Sequence, residues 1–240
     1  MLFLSQKDIE VIGYSILRDY EKRGDGNIQI PVHIESFARN YLGLNIEYQK
    51  LSETGKILGL TSYKGVILEL AFDGGSIHLN VPENTILLDE RLKRASSLHR
   101  RRFTVAHECA HQILARIEES VTAKNNKQIP YSCREVSFRV LQTTEDWTEW
   151  QANALGAVLL LPKHELVIEL NRGFTPFKPT IYGNRLNSTD YAKAKAIADK
   201  FCVSMAAMKI RLKELDSIIT KGEAEYFDPR EVLFESEGER

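Results

Sequence analysis

The sequence predicts an α+β fold, a helical core carrying a small antiparallel sheet, followed by a pair of short helices resembling a helix-turn-helix. Three observations point there. Apolar residues recur at helical spacing before residue 44 and alternate between 44 and 90, then return to helical spacing from about residue 98. An almost wholly apolar run ends at Pro162, and Ser188 opens two short amphipathic stretches joined at Cys202-Val203-Ser204. These breaks divide the chain into a core of residues 1–175, a helix pair over 186–220, and an acidic tail over 221–240 that is expected to be disordered.

Ser5 is positioned to cap a first helix with Ile9, Ile12, Ile16, Leu17 and Tyr20 on one face. A second helix is predicted from Pro31 to Gly43, with Ile34, Phe37, Ala38 and Tyr41 inward. The period then changes. Leu44, Ile46 and Tyr48 alternate, residues 65–72 read as a strand, and Asp73-Gly74-Gly75 turns it back into residues 76–80. Thr85–Leu88 forms one more strand, completing an antiparallel sheet. Arg100-Arg101-Arg102 reads as a solvated turn rather than a phosphate site. His33 and His164 read as surface histidines. Residues 118–145 are polar around Asn125-Asn126 and broken at Pro130, with Val136, Phe138 and Val140 alternating like a strand, a pattern that fits a flap.

The chemistry concentrates in His107-Glu108-Cys109-Ala110-His111, an H-E-x-x-H pattern on a predicted helix. Histidines four residues apart share a helix face with Cβ atoms about 6 Å apart. Both imidazoles can therefore reach one metal ion, with Glu108 beside the open position as general base. A catalytic zinc takes a third protein ligand. Downstream, Asp146-x-x-Glu149 opens a second helix that is otherwise apolar nearly all round. Asn153 lies one turn past Glu149 on the same face, where it can hydrogen-bond a ligating imidazole.

The segment Arg102-Phe103-Thr104-Val105-Ala106 before the motif, with E-x-x-A-N-x-x-x-A-x-x-L-L-P from Glu149 to Pro162, resembles the ImmA/IrrE family of gluzincin-like metallopeptidases. The resemblance spans about residues 5–216. It implies a helical metallopeptidase core, Zn2+ on His107, His111 and Glu149, Glu108 as the catalytic base, and a helix-turn-helix repressor as protein substrate, relieving repression in a stress response or mobile element. Four positions depart from the family pattern. Cys109-Ala110 replaces Leu-Gly, Leu161 stands where Met is common, and Gly156 falls where Phe often packs. The distance from His111 to Glu149 is also longer than in many relatives.

Composition narrows the alternatives. With 43% hydrophobic residues the chain can bury a sizeable core, and a net charge of −1 provides no general pull toward nucleic acid or anionic membrane. Three widely spaced cysteines suit a reducing cytoplasm better than a disulfide framework. In the helix pair, Lys209, Arg211 and Lys213 are offset by Glu214 and Asp216, so it reads as a partner-docking unit rather than a DNA reader. The competing function is a DNA-binding or antitoxin-like regulator on a peptidase fold with a structural or inactive metal site. An intact Glu108 argues against it, since a structural zinc has no use for an unligated carboxylate there.

Overall fold

A capping box starts the chain's first helix. Asp8 N donates to Ser5 Oγ while Ser5 N donates to Asp8 Oδ2, so α1 runs Gln6–Lys22 from the predicted cap. A computed structural model describes residues 3–23, 28–122, 143–175 and 177–228, and the chain forms two units, Met1–Leu160 and Leu161–Arg240. That division falls earlier than the expected boundary at residue 175.

In the first unit the helix predicted from Pro31 is shorter than its pattern implies. One α-turn, Ile34–Ser36 (α2), runs directly into a π-helical turn over Phe37–Tyr41, and Gly43 ends it at φ +68°. The strands are β1 Asn45–Gln49, β2 Gly59–Ser62, β3 Val66–Phe72, β4 Gly75–Val81 and β5 Thr85–Asp89. The expected single antiparallel sheet is corrected in two respects. β1 pairs with β5 in parallel, giving a mixed sheet in the order β1-β5-β2, and β3 with β4 forms a separate hairpin. Parallel pairing requires a long crossover, and residues 50–84 supply it. Every residue of the central strand β5 is buried, as expected of a strand covered on both faces. The hairpin turns Val66, Leu68, Phe72 and Leu79 onto a core of Leu51, Leu60, Leu70, Val81 and Leu87.

Two long helices complete this unit, α3 Leu98–Thr122 and α4 Thr144–Leu160. Thr143, not Asp146, caps α4: Asp146 N donates to Thr143 Oγ1 and Thr143 N to Asp146 Oδ2. Arg100 is exposed, but Arg101 and Arg102 are not part of a solvated turn. Arg102 is buried with Nη2 donating to Val32 O, and Arg101 reaches Glu35 Oε1 and Leu92 O. Arg116 donates to Leu42 O and Asn84 Oδ1. Guanidinium groups thus tie α3 to the loops on both sides of the histidine motif. The proposed flap and its alternating Val136, Phe138 and Val140 lie outside the described residues.

The second unit holds α5 Lys163–Phe174, β6 Thr180–Tyr182, β7 Arg185–Leu186, α6 Ser188–Phe201, α7 Met205–Glu214 and β8 Ile219–Lys221. β6 pairs with β7 across Gly183 (φ +60°) and with β8 in parallel. Asn187, rather than Ser188, caps α6 through Asp190 N, while Ser204 caps α7 as predicted. The acidic segment is ordered at its beginning. Residues 223–225 form a 3₁₀ turn, and buried Asp228 accepts from Ser188 N and Oγ. Residues 229–240 lie outside the described residues.

α1 packs on α4 through Gly13, where a Cβ would stand 2.5 Å from Val158 Cγ1. Overpacking a core typically costs about 1–3 kcal/mol, against about 1 kcal/mol gained by removing a helical glycine. Gly13→Ala is therefore expected to lower stability in urea titrations; a higher midpoint would contradict this packing.

Candidate metal centre

Position on α3 decides which residues meet. His107 and His111, one turn apart, face α4, and the neighbouring stripe of Thr104, Glu108 and Gln112 faces β2. All five side chains are buried. Glu149 projects from α4 toward the histidines, its Oε2 3.3 Å from His107 Nε2 and its Oε1 3.3 Å from His111 Nε2. The two Nε2 atoms are 3.0 Å apart. Ligands on a tetrahedral zinc at ordinary bond lengths stand about 3.3 Å from one another. One ligand atom from each of His107, His111 and Glu149 lies within 4.8 Å of the others, a donor set of two imidazole nitrogens and a carboxylate oxygen that could hold a divalent metal ion.

His107 Nδ1 donates to Asn153 Oδ1 at 3.0 Å, which leaves the Nε2 lone pair for a metal. The helices approach closely enough to permit this because residue 156 is glycine. A Cβ there would lie 3.2 Å from His107 N and 3.3 Å from His107 Cα. A phenylalanine at this position would have no room beside the present α3 backbone.

The electrostatics favour a cation. Burial works against charging His107, but the Glu149 hydrogen bond, the Glu108 and Glu149 charges and the Asn153 hydrogen bond together carry its pKa above the usual value. His111 is held below its usual value by burial foremost, with charged His107 adding to the effect. Burial pushes Glu149 up, yet its hydrogen bonds to both imidazoles outweigh it and hold the carboxyl at about 2. The two imidazoles favour the anionic form of the buried Glu149 carboxylate, an interaction that a divalent ion would also supply. Cys109, between the two histidines in sequence, is fully buried. Its thiol is pushed far up by burial and by the Glu108 charge, so it stays protonated and takes no part.

What the sequence did not reveal is β2. Gly59 lies directly against Glu108, and Gln112 Nε2 donates to Thr61 Oγ1 (2.7 Å) and Ser62 O (3.0 Å), fastening the strand along α3. Four residues of short, mixed polarity starting at a glycine have no strand signature. Among the described residues β2 is an edge strand. Asp89 N bonds Leu58 O, so by the alternation of an antiparallel ladder Gly59 and Thr61 turn their main-chain N–H and C=O away from β5, toward the open edge.

The fold is α+β, and two packed helices bring together a buried His-His-Glu cluster that could hold a metal ion. The IrrE N-terminal-like domain, a peptidase family, matches residues 71–213, more than half of the 240 residues, and the chain belongs to that family. A solved structure of a Mycobacterium tuberculosis transcriptional regulator is similar at 13% identity and a TM-score of 0.47, over 87% of this chain and 48% of that one. The chain thus spans about half the length of that regulator. No curated protein matches the sequence.

Two outcomes check the centre. His107→Ala, His111→Ala and Glu149→Ala should each abolish metal retention by elemental analysis, and full occupancy in all three would refute the ligand set. Asn153→Ala removes only the partner of His107 Nδ1, so metal affinity in a chelator competition should fall about 10–100-fold with the fold intact.

Proposed function

We propose that the protein is a zinc-dependent endopeptidase whose substrate is a helix-turn-helix transcriptional repressor, cleaved in the cytoplasm to relieve repression. The observation that carries the catalytic part is the convergence of His107, His111 and Glu149 with Glu108 buried beside them under an edge strand. The ligand set by itself would suit a structural metal, but a further carboxylate next to it supplies the base that proton transfer needs. The repressor rests on the family resemblance.

Zinc, when bound, supplies polarisation of the scissile carbonyl and a lowered pKa for water at its open position. The remaining work belongs to the chain. Glu108 takes a proton from the attacking water and returns it to the leaving amine. Asn153 holds the His107 tautomer, and the outward main-chain groups of Gly59 and Thr61 can pair with an extended substrate, which secures affinity with little sequence demand.

The second unit suits docking of a partner better than reading DNA. Arg211 is fully buried, with Nε donating to Leu161 O, and Lys209 Nζ is bound to the Asn184 carbonyls. Neither is available to form a basic stripe on α7. Lys209→Glu with Lys213→Glu should leave duplex DNA binding negligible in fluorescence anisotropy; a salt-sensitive nanomolar complex of the wild type would overturn this.

The deciding experiment is Glu108→Gln, which keeps size and hydrogen-bonding shape but removes the base. Zinc content should be unchanged while cleavage of the repressor, followed by mass spectrometry, falls about 100–10,000-fold. Equal cleavage by both proteins would remove Glu108 from the mechanism. A wild type that binds the repressor without cutting it would favour the interaction-protein reading.

A further inference from the structure

We infer that Gly59 is a positioning residue for Glu108: its missing side chain is the space in which the carboxylate stands against the edge strand. The inference rests on the role proposed above for Glu108. A Cβ at residue 59 would lie 2.6 Å from Glu108 Oε1, 3.2 Å from its Cδ, and 2.6 Å from Thr104 Cγ2. Nothing in the backbone requires glycine here. Gly43, Gly55, Gly65, Gly75 and Gly183 have positive φ and Gly59 does not, so any residue could adopt its conformation. Glycine inside a strand weakens it and marks a place where another group approaches closely.

The geometry is a match of repeats. Four residues of α-helix advance about 6 Å and two residues of strand about 6.7 Å, so an i, i+4 stripe can run in step with alternate strand residues. Thr104 and Glu108 meet Gly59, and Gln112 bonds to Thr61 and Ser62. Glycine is thus the one register position of β2 at which the carboxylate comes alongside the strand. The same residue turns its main-chain groups to the open edge, so base and substrate-pairing strand are set relative to each other at a single residue.

The test is Gly59→Ala, placed in a Thr104→Ser background so that the Thr104 methyl group is not a second clash. Metal content, melting temperature, and kcat and KM of the zinc-loaded protein on the repressor are measured. Expected are full zinc content, kcat lower by tenfold or more, and KM within about twofold, since the strand's pairing groups remain. In metal-free protein the melting-temperature loss caused by Gly59→Ala should disappear when Glu108→Ala is also present. Equal losses with Glu108 and with alanine there, or an unchanged kcat, would overturn the inference. Should Gly59→Ala fail to fold, the triple variant with Glu108→Ala decides: its folding supports the steric account, and its failure refutes it. Glu108→Gln in the same assay separates the two levels. If it still cleaves, the catalytic reading fails; if it does not cleave but Gly59→Ala keeps its kcat, only this inference fails.

Discussion

A carboxylate buried between two imidazoles is the constraint on which the rest of the first unit depends. Glu149 is 7% exposed, and an uncompensated charge at that depth would be strongly unfavourable. It is tolerable only because His107 and His111 stand 3.3 Å from its two oxygens. The contact in turn demands that α3 and α4 approach almost backbone to backbone. Gly156 permits that approach, and the arginine ties of α3 to residues 32, 42, 84 and 92 hold the helix from both ends.

α3 serves two neighbours with adjacent stripes. The histidines look to α4, and Thr104, Glu108 and Gln112 look to β2. Because successive helix residues are turned by about 100°, a ligand at 107 places its neighbour at 108 on the adjoining face. The sequential contact of His and Glu in the motif therefore becomes spatial contact of a metal position with a strand edge. Gly13, Gly59 and Gly156 have a common function in this arrangement, each removing a Cβ where two elements meet more closely than side chains allow. None of the three has a positive φ, so their role is steric.

The second unit shows a similar conversion of surface-looking residues into internal ties. Arg211 would be a basic contact if exposed, yet it is spent on a main-chain carbonyl, and Asp228 from the acidic segment accepts from the start of α6. Charge counting along α7 could not anticipate this, because whether an arginine faces solvent depends on which elements pack around its helix.

What the sequence determined by itself is what repeats along one element. His107, Glu108 and His111 lie within one turn of helix, Asn153 lies one turn from Glu149, and Ser5 and Ser204 cap helices through their own third residues. These relations are set by the geometry of a single helix, and the α+β class follows from the change of apolar period. Only the tertiary structure decided the rest. The parallel pairing of β1 with β5, the strand at Gly59–Ser62, the burial of Arg102 and Arg211, and the contact of Gly59 with Glu108 all join residues far apart in the chain. Their partners are chosen by packing, and a sequence records packing only through the shape each residue must fit, which is why a lone glycine could be seen but its purpose could not.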